Sequence, residues 1–251
     1  MTVKTASEIK LMEKAGQLAA QALVHTGTFV KAGITTNELD KIANDFILSR
    51  GAISACIGYD GYPKAICTSV NDVICHGLPS EQVLKDGDII NIDITVIREG
   101  FHGDTSSMFF VGDVSAQAKR LCECAFEAMH KGIEVVRAGA KTGDIGFAVE
   151  KYVTRRGFHP VREIGGHGIG RGFHEDPFVP SFGKKGRGSE LLKWGTITVE
   201  PMINETSAPI LEIEIPGSTV AVFATSDKRL SAQYEHTVLI TDAGAQILTL
   251  P

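Results

Sequence analysis

Residues 30–51 read VKAGITTNELDKIANDFILSRG, and residues 136–157, at a constant spacing of 106 positions, read VRAGAKTGDIGFAVEKYVTRRG. In both copies a glycine marks a turn, a threonine stands where a helix N-cap belongs, and an acid follows in the first turn. Arg-Gly then ends each copy as a helix stop signal. The pattern therefore predicts the same helix twice, with Thr36 and Thr142 as its N-caps.

The segments around the two copies extend the repeat into two similar halves. An amphipathic segment precedes each copy, and strand-like stretches follow each copy. No linker rich in Pro, Gly or Ser separates the halves, and neither has the means to close a core alone. We therefore predict one α+β domain over residues 1–251, with pseudo-twofold halves at about 7–112 and 115–245. The alternative is a chance similarity of two amphipathic helices, because helix start and stop signals recur widely.

The boundaries of these flanking elements follow from the alternation of apolar and polar residues. The helices before the copies are expected at residues 7–27 and 115–132. The strands are expected at residues 88–96, 101–111, 195–204 and 231–241.

Acidic residues recur on one face of the predicted strands. In DIINIDITVI, residues 88–97, alternation puts Asp93 opposite a face of Ile and Val. The chain then returns after a turn, and folding that hairpin brings Asp104 near Asp93. Glu200 lies 107 positions after Asp93, and Glu235 stands on the neighbouring strand of the second half. Four acids that face one another repel strongly unless cations lie between them.

A glycine-rich run supplies the imidazole that such a cation site needs. His167 lies in GGHGIG, residues 165–170, which fits neither a dinucleotide fingerprint nor a P-loop. Four carboxylates with one imidazole suit Mn, Fe, Co or Zn in a two-metal site with ions about 3.5–4 Å apart. His76 and His174 also lie on loops rich in Gly and Pro, where a histidine is most often a surface residue. A single acid on a strand is likewise most often solvated.

Composition excludes several classes of protein. The chain is 43% hydrophobic and 22% charged, with a formal net charge of -5, which gives no footprint for nucleic acid or anionic membranes. The five cysteines are an odd number without a C-x-x-C pair, which argues against a disulfide framework or a structural zinc site. Without an apolar signal segment or a membrane span, the chain is expected in the reducing cytoplasm.

Seven ordered motifs between about residues 9 and 244 resemble one family. They are GYDGYP at 58–63, CHG at 75–77, NIDIT at 91–95, HGDTS at 102–106, GHGIG at 166–170, VEPM at 199–202 and SAQYEH at 231–236. The whole is similar to the bacterial-type (type 1) methionine aminopeptidases of the pita-bread fold, in which duplicated halves surround a curved antiparallel sheet. The resemblance implies a hydrolase that removes the initiator methionine from nascent proteins when the second residue is small.

The resemblance also implies a dinuclear centre of two divalent ions, Co, Mn, Fe or Zn. Asp104 and Glu235 would bridge both ions, His167 and Glu200 would complete one, and Asp93 the other. A shared water, made acidic by the metals, would attack the scissile carbonyl, with Glu200 as proton acceptor. His174 would stabilise the oxyanion and His76 would contact the scissile amide. Two threonines, Thr95 and Thr198, would orient the carboxylates.

Two further sites follow from the same resemblance. The methionine pocket would use soft and aromatic side chains that could equally be ordinary core. Its members would be Cys56, Tyr59, Tyr62, Cys67, Phe173, Met202 and Gln233, beside His76 and His174. A monovalent cation, Na or K, would bind backbone oxygens of Asn71, Val73 and Ser231. Lys193-Trp-Gly, where the family usually has Lys-Pro-Gly, and the long apolar segment 204–222 depart from the pattern and affect the rim of the pocket.

The expected partners are nascent polypeptide N-termini, with the ribosome as a candidate, for a monomer without nucleic-acid specificity or membrane contact. One alternative is a proline-directed aminopeptidase or dipeptidase of the same fold, although those chains normally carry an extra N-terminal domain. Another is a non-catalytic pita-bread module that binds nascent chains. Such a module should have lost one or more ligand positions, and all five are present.

Overall fold

The computed structural model describes residues 1–251 as four helices, fifteen strands and a short 3-10 turn at Tyr59–Gly61. The helices are α1 (Ala6–Gly27), α2 (Thr36–Ser49), α3 (Ala116–Ile133) and α4 (Thr142–Thr154). In the first half the strands are β1 (Ile53–Ser54), β2 (Cys67–Val70), β3 (Val73–Cys75), β4 (Ile89–Arg98) and β5 (Phe101–Phe110). In the second half they are β6 (His159–Pro160), β7 (Gly166–Gly168), β8 (Glu175–Val179), β9 (Thr196–Val199), β10 (Met202–Asn204), β11 (Ile210–Glu214), β12 (Ala221–Thr225), β13 (Ser231–Gln233), β14 (Glu235–Ile240) and β15 (Ala245–Ile247).

The predicted N-caps of the repeated helix were wrong by one residue. Thr35 caps α2: its hydroxyl accepts from the Glu38 amide at 3.1 Å, and the Glu38 carboxylate accepts from the Thr35 amide at 2.7 Å. Thr36 and Thr142 are instead the first helical residues, and both are buried. Their hydroxyls bind loops, because a buried hydroxyl needs a partner.

In each half the hydroxyl of this threonine is hydrogen-bonded to the backbone of a serine in a neighbouring loop. The Thr36 hydroxyl donates to the Ser80 carbonyl at 3.0 Å, and the Thr142 hydroxyl accepts from the Ser189 amide at 3.2 Å. The glycines that end the two copies, Gly51 and Gly157, adopt φ angles of +71° and +78°. The predicted stop signals are therefore confirmed, since this left-handed conformation costs glycine little.

The strands form one nine-stranded sheet and two three-stranded sheets, and every pair is antiparallel. The large sheet has the order β1-β4-β5-β14-β9-β7-β8, with β2 on β4 and β15 on β14. The small sheets are β13-β10-β6 and β11-β12-β3. This curled antiparallel sheet with four helices confirms the predicted fold class.

Two predicted strands are each broken in the middle. Residues 195–204 divide into β9 and β10 at Glu200-Pro201, and residues 231–241 divide into β13 and β14 at Tyr234. Proline has no N–H to continue a ladder, which explains the first break. At both breaks the chain leaves one sheet for another.

Each helix pair has its own apolar core. Leu18, Leu39 and Ile92 belong to the core between α1, α2 and the first half of the sheet. A separate core packs α3 and α4 against the second half, with Leu121 and Val238 among its members. Because one sheet joins both cores, we propose a single domain with halves at about 7–112 and 115–245. None of the helices combines the length and apolar character that a membrane crossing requires.

Candidate metal centre

The β4–β5 hairpin supplies two of the acidic side chains. Its register pairs Thr95 with Asp104 and Asp93 with Ser106, so both aspartates lie on one face. Asp93 and Asp104 both border the same cavity. The Thr95 hydroxyl donates to Asp104 Oδ1 at 2.7 Å. A ten-residue ladder thus fixes two carboxylates and one orienting hydroxyl.

The second half supplies the remaining groups from three strands. Glu200 follows β9, Glu235 begins β14 beside β5, and His167 lies in β7. The Thr198 hydroxyl donates to Glu200 Oε1 at 2.7 Å and accepts from the His167 amide at 2.9 Å. One hydroxyl therefore positions two candidate ligands.

All five candidate ligands border one cavity of about 260 Å³. Ligand atoms of Asp104, His167 and Glu235 lie within 4.8 Å of one another. His167 Nε2 is 3.5 Å from Glu200 Oε1 and 3.7 Å from Asp104 Oδ2. The structure thus brings together the whole set that the sequence singled out.

Burial makes the charged forms of these carboxyl groups costly. It raises the pKa of Asp104 to about 7 and that of Glu200 to about 8, with repulsion from Asp104 adding to the shift at Glu200. Burial followed by neighbouring carboxylates also raises the pKa of Asp93 and Glu235 well above the ordinary range. Burial lowers the pKa of His167 to about 4. Without a cation, the protein alone does not stabilise this set of charges.

The donors fit a divalent metal rather than an internal ion pair. No Lys or Arg lines the cavity, and Glu235 Oε1 is buried without a hydrogen-bond partner. His167 Nδ1 lies 2.9 Å from the Gly168 carbonyl, which makes Nδ1 the protonated nitrogen and leaves the Nε2 lone pair facing the carboxylates. A lone pair and an unpaired oxygen aimed at one point need a cation between them.

Two more histidines stand at the edge of the same cavity. His174 Nδ1 lies 2.7 Å from the Tyr59 hydroxyl, and its ring centroid is 4.3 Å from that of His167. His76 adopts a left-handed φ of +56° and its Nδ1 lies 3.1 Å from the Ala221 carbonyl. Both predicted loop histidines therefore face the acidic cluster rather than bulk solvent alone.

The predicted methionine pocket divides into a lining and a backing. Five of its seven members border the cavity: Cys56, Tyr59, Tyr62, Cys67 and Phe173. Met202 and Gln233 lie behind it, each 1% exposed. The Gln233 amide donates to Glu200 Oε2 at 3.3 Å, so it reaches the acidic cluster rather than the pocket.

Sequence reasoning missed three residues of the lining, Ile164, Gly165 and Val220. Val220 belongs to the unusual segment 204–222, which folds into the β11–β12 hairpin and pairs with β3. Buried Ile215 of the same segment packs with Tyr62 and Cys67. The apolar composition of segment 204–222 indicated that it packs near the pocket. The order of its residues did not indicate which side chain would line the cavity.

The residues expected to bind a monovalent cation lie near one another. The Ser231 amide donates to the Asn71 carbonyl at 2.9 Å, and Asn71 adopts φ +53°. Val73 follows two positions later at the start of β3.

Known proteins share this arrangement of sequence and fold. The profile of metallopeptidase family M24 matches residues 10–242. The chain belongs to metallopeptidase family M24. This M24 chain is 47% identical to the methionine aminopeptidase of Escherichia coli (strain K12), over 100% of the chain and 94% of that protein.

Solved structures of the family agree. The crystal structure of methionine aminopeptidase from Rickettsia prowazekii superposes with a TM-score of 0.96 at 46% identity, with 100% of both chains covered. An Xaa-Pro dipeptidase from Bacillus anthracis gives a TM-score of 0.76 at 26% identity, and the match spans 62% of that chain. The predicted family is confirmed.

Proposed function

We propose that this chain is a metalloaminopeptidase that removes the N-terminal methionine from proteins whose second residue is small. One observation carries the proposal: five candidate ligands, two buried and three half-buried, border the same cavity as two thiols and three aromatic rings, and no Lys or Arg lines it. Full-length similarity to methionine aminopeptidases supports it. The proline-directed alternative is less well supported, since the dipeptidase match is weaker and partial.

Two divalent ions would be held by the chain's own acids and one imidazole. We propose Asp93 for one ion, His167 and Glu200 for the other, and Asp104 with Glu235 as bridges. The orphaned Glu235 oxygen supports the bridging role. When bound, such ions act as Lewis acids that make a water nucleophilic near neutral pH. Mn, Fe, Co and Zn all accept this donor set.

The side chains around the ions would handle the proton and the developing negative charge. Glu200 would take the proton of the attacking water, and the Thr198 hydroxyl holds its carboxylate in one orientation. A Tyr59 hydroxyl that donates to His174 Nδ1 leaves the ring proton on Nε2. His174 can then donate a hydrogen bond to the oxyanion of the tetrahedral state.

The cavity wall would select the methionine side chain. Thiols and aromatic rings are soft, polarizable neighbours that suit a thioether. Cys56, Cys67, Tyr62 and Phe173 supply this surface, with Val220 as the added rim residue. His76, directly after β3 at the edge of the cavity, would contact the scissile amide. The free α-amine would bind beside Asp93, which restricts cleavage to chain ends.

Finer features belong to the same proposal. A monovalent cation, Na or K, would bind backbone oxygens of Asn71, Val73 and Ser231, and the contact of Asn71 with Ser231 supports this. All five cysteines are unpaired and buried, which supports work in a reducing cytoplasm. We further propose that the chain acts as a monomer on nascent chains at the ribosome. Light scattering and co-sedimentation with ribosomes test these two points.

The substrate test compares three peptides. Metal-loaded chain should release methionine from Met-Ala-Ser, should act far more slowly on Met-Arg-Ser, and should leave Ala-Pro intact. Faster cleavage of Ala-Pro than of Met-Ala-Ser would favour a proline-directed enzyme. No release from any peptide, at full metal occupancy, would favour the non-catalytic module.

A further inference from the structure

The loop that carries Phe173 and His174 has its base against the segment that precedes α1. Residues 169–174 connect β7 to β8, and Gly168 pairs with Glu175 where the loop closes. The Lys4 amide donates to the Trp194 carbonyl at 2.9 Å, and Trp194 stands two residues before β9, the strand that pairs with β7. A backbone contact thus ties the segment before α1 to the chain that enters the strand next to β7.

Lys4 is the unusual member of that segment, because its side chain is buried. The residue is only 4% exposed, whereas lysines are almost never buried without partners. Its ammonium group donates to the Ile169 carbonyl at 2.8 Å and to the Thr2 carbonyl at 3.1 Å. It also lies 3.4 Å from Glu175 Oε2. The ammonium therefore contacts the first residue of the loop and the residue that follows its end.

Glu175 also binds a residue within the loop. Its other oxygen, Oε1, accepts from the Gly172 amide at 2.9 Å, directly before Phe173. Although burial opposes it, the Gly172 amide and Lys4 together hold the pKa of Glu175 below its ordinary value. The carboxylate thus stays charged between an ammonium and a backbone N–H.

The loop backbone is fitted tightly to the lysine. A Cβ on Gly170 would lie 2.7 Å from both Lys4 Cε and Nζ, so the side chain packs directly on the backbone. On its other side, the Gly170 carbonyl accepts from the His102 amide at 2.9 Å. The His102 ring stacks on Phe173 with 5.7 Å between centroids. The loop is held between Lys4 and β5.

We propose that Lys4 is a positioning residue for the reaction: its buried ammonium ties Ile169 to Glu175 and so fixes Phe173 and His174 at the substrate cavity. This inference rests on the proposed function for its kinetic consequence. Displacing an oxyanion donor by about 1 Å can cost on the order of 10²-fold in rate. Lys4 touches neither the cavity nor the candidate metal ligands.

The test compares Lys4→Met with Lys14→Met. Methionine keeps most of the length of the lysine side chain but cannot donate a hydrogen bond. Lys14 is the control position, because it forms only an exposed ion pair with Glu99 at 2.9 Å. For Lys4→Met we expect kcat on Met-Ala-Ser to fall about 10- to 100-fold with KM and metal affinity close to wild type. Lys14→Met should match wild type in all three.

A second readout does not depend on activity. Hydrogen exchange of the Gly170 and Gly172 amides, measured on the metal-loaded chains, should become roughly tenfold faster or more in Lys4→Met. Amides of the distant β4–β5 ladder should not change. If the chain fails to hydrolyse Met-Ala-Ser at all, the proposed function fails while this exchange comparison still decides the role of Lys4.

Glu175→Gln is the second variant, and it decides the question if Lys4→Met does not fold. It keeps an acceptor for the Gly172 amide but removes the charge that faces Lys4, so we expect a smaller loss of kcat in the same direction. Wild-type kcat and exchange in the variants that fold would overturn the proposal. A loss of kcat that appears only together with a loss of metal affinity would overturn it too.

Discussion

The two halves of the sheet present their candidate ligands in different ways. In the first half, β4 and β5 pair without interruption from Ile89↔Phe110 to Arg98↔Phe101, and both aspartates lie inside this ladder. In the second half, Glu200 and Glu235 lie where strands break and the chain changes sheet. The two halves therefore resemble each other in their helices but differ in whether their strands are continuous.

The difference indicates that the two halves hold their candidate ligands with different rigidity. The first half is a rigid platform, because a continuous ladder fixes the direction of each side chain. The second half carries His167 and the loop of His174, and its ligands Glu200 and His167 depend on single side-chain hydrogen bonds from Thr198. Substitutions of orienting groups should therefore cost more in the second half than in the first.

The largest effects should come from the two proposed bridging acids, one from each half. Glu235→Gln and Asp104→Asn should abolish activity and weaken metal binding by about 10²–10⁴-fold, since losing a buried charge partner costs about 3–5 kcal/mol. Without metal, Asp104→Asn should unfold at a higher temperature than wild type, because one buried, repelling carboxylate is gone.

Calorimetric metal titration and thermal unfolding measure these effects. Asp113→Asn, which alters an exposed acid shortly after β5, is the matched control and should behave as wild type. Near-normal turnover in either bridging variant would refute the dinuclear account.

His174→Ala tests the contribution of the second half to the site. We expect kcat to fall about 10²-fold or more, the size of one lost oxyanion donor, with metal content unchanged. Steady-state kinetics on Met-Ala-Ser separates the possibilities. A change in KM alone would make His174 a binding residue instead.

The orienting threonines allow a direct comparison of the halves. The Thr198 hydroxyl is hydrogen-bonded to Glu200 and to the His167 amide, whereas the Thr95 hydroxyl is hydrogen-bonded to Asp104 within the β4–β5 ladder. Thr198→Val should lower metal affinity about 10- to 100-fold, with Thr95→Val nearer the lower limit. Competition with a chelating dye measures both affinities. A larger loss in Thr95→Val would contradict the view of the first half as the rigid one.

The smallest effects should come from the caps of the repeated helix. Thr35→Ala removes a side-chain cap from α2 and should cost about 1 kcal/mol of unfolding free energy. Lys141→Ala at the equivalent position of α4 should cost less, because an ammonium cannot accept a hydrogen bond from the helix. Urea unfolding compares the two, and equal losses would show that the capping difference is unimportant.

The sequence predicted the helices, and the structure brings the candidate acids to one cavity, because these signals are patterns within short segments. The helix start and stop signals within each copy of the repeat, and the period-two pattern around Asp93, each depend on neighbouring residues. It did not predict the breaks at Pro201 and Tyr234, the shift of the N-cap to Thr35, or the approach of Val220 to the pocket. Those features arise from tertiary contacts, as does the burial of Lys4, which looks like an ordinary surface lysine in the sequence.

The central claim is that this acidic cavity holds two divalent ions that make the chain a methionine-releasing enzyme. Native mass spectrometry of metal-free chain titrated anaerobically with Mn²⁺, with methionine release from Met-Ala-Ser followed in the same samples, tests it most directly. The account predicts two ions per chain in the wild type, with activity rising as they bind, and neither full occupancy nor activity in Glu235→Gln. Full methionine release by chelator-treated chain without bound metal would contradict it.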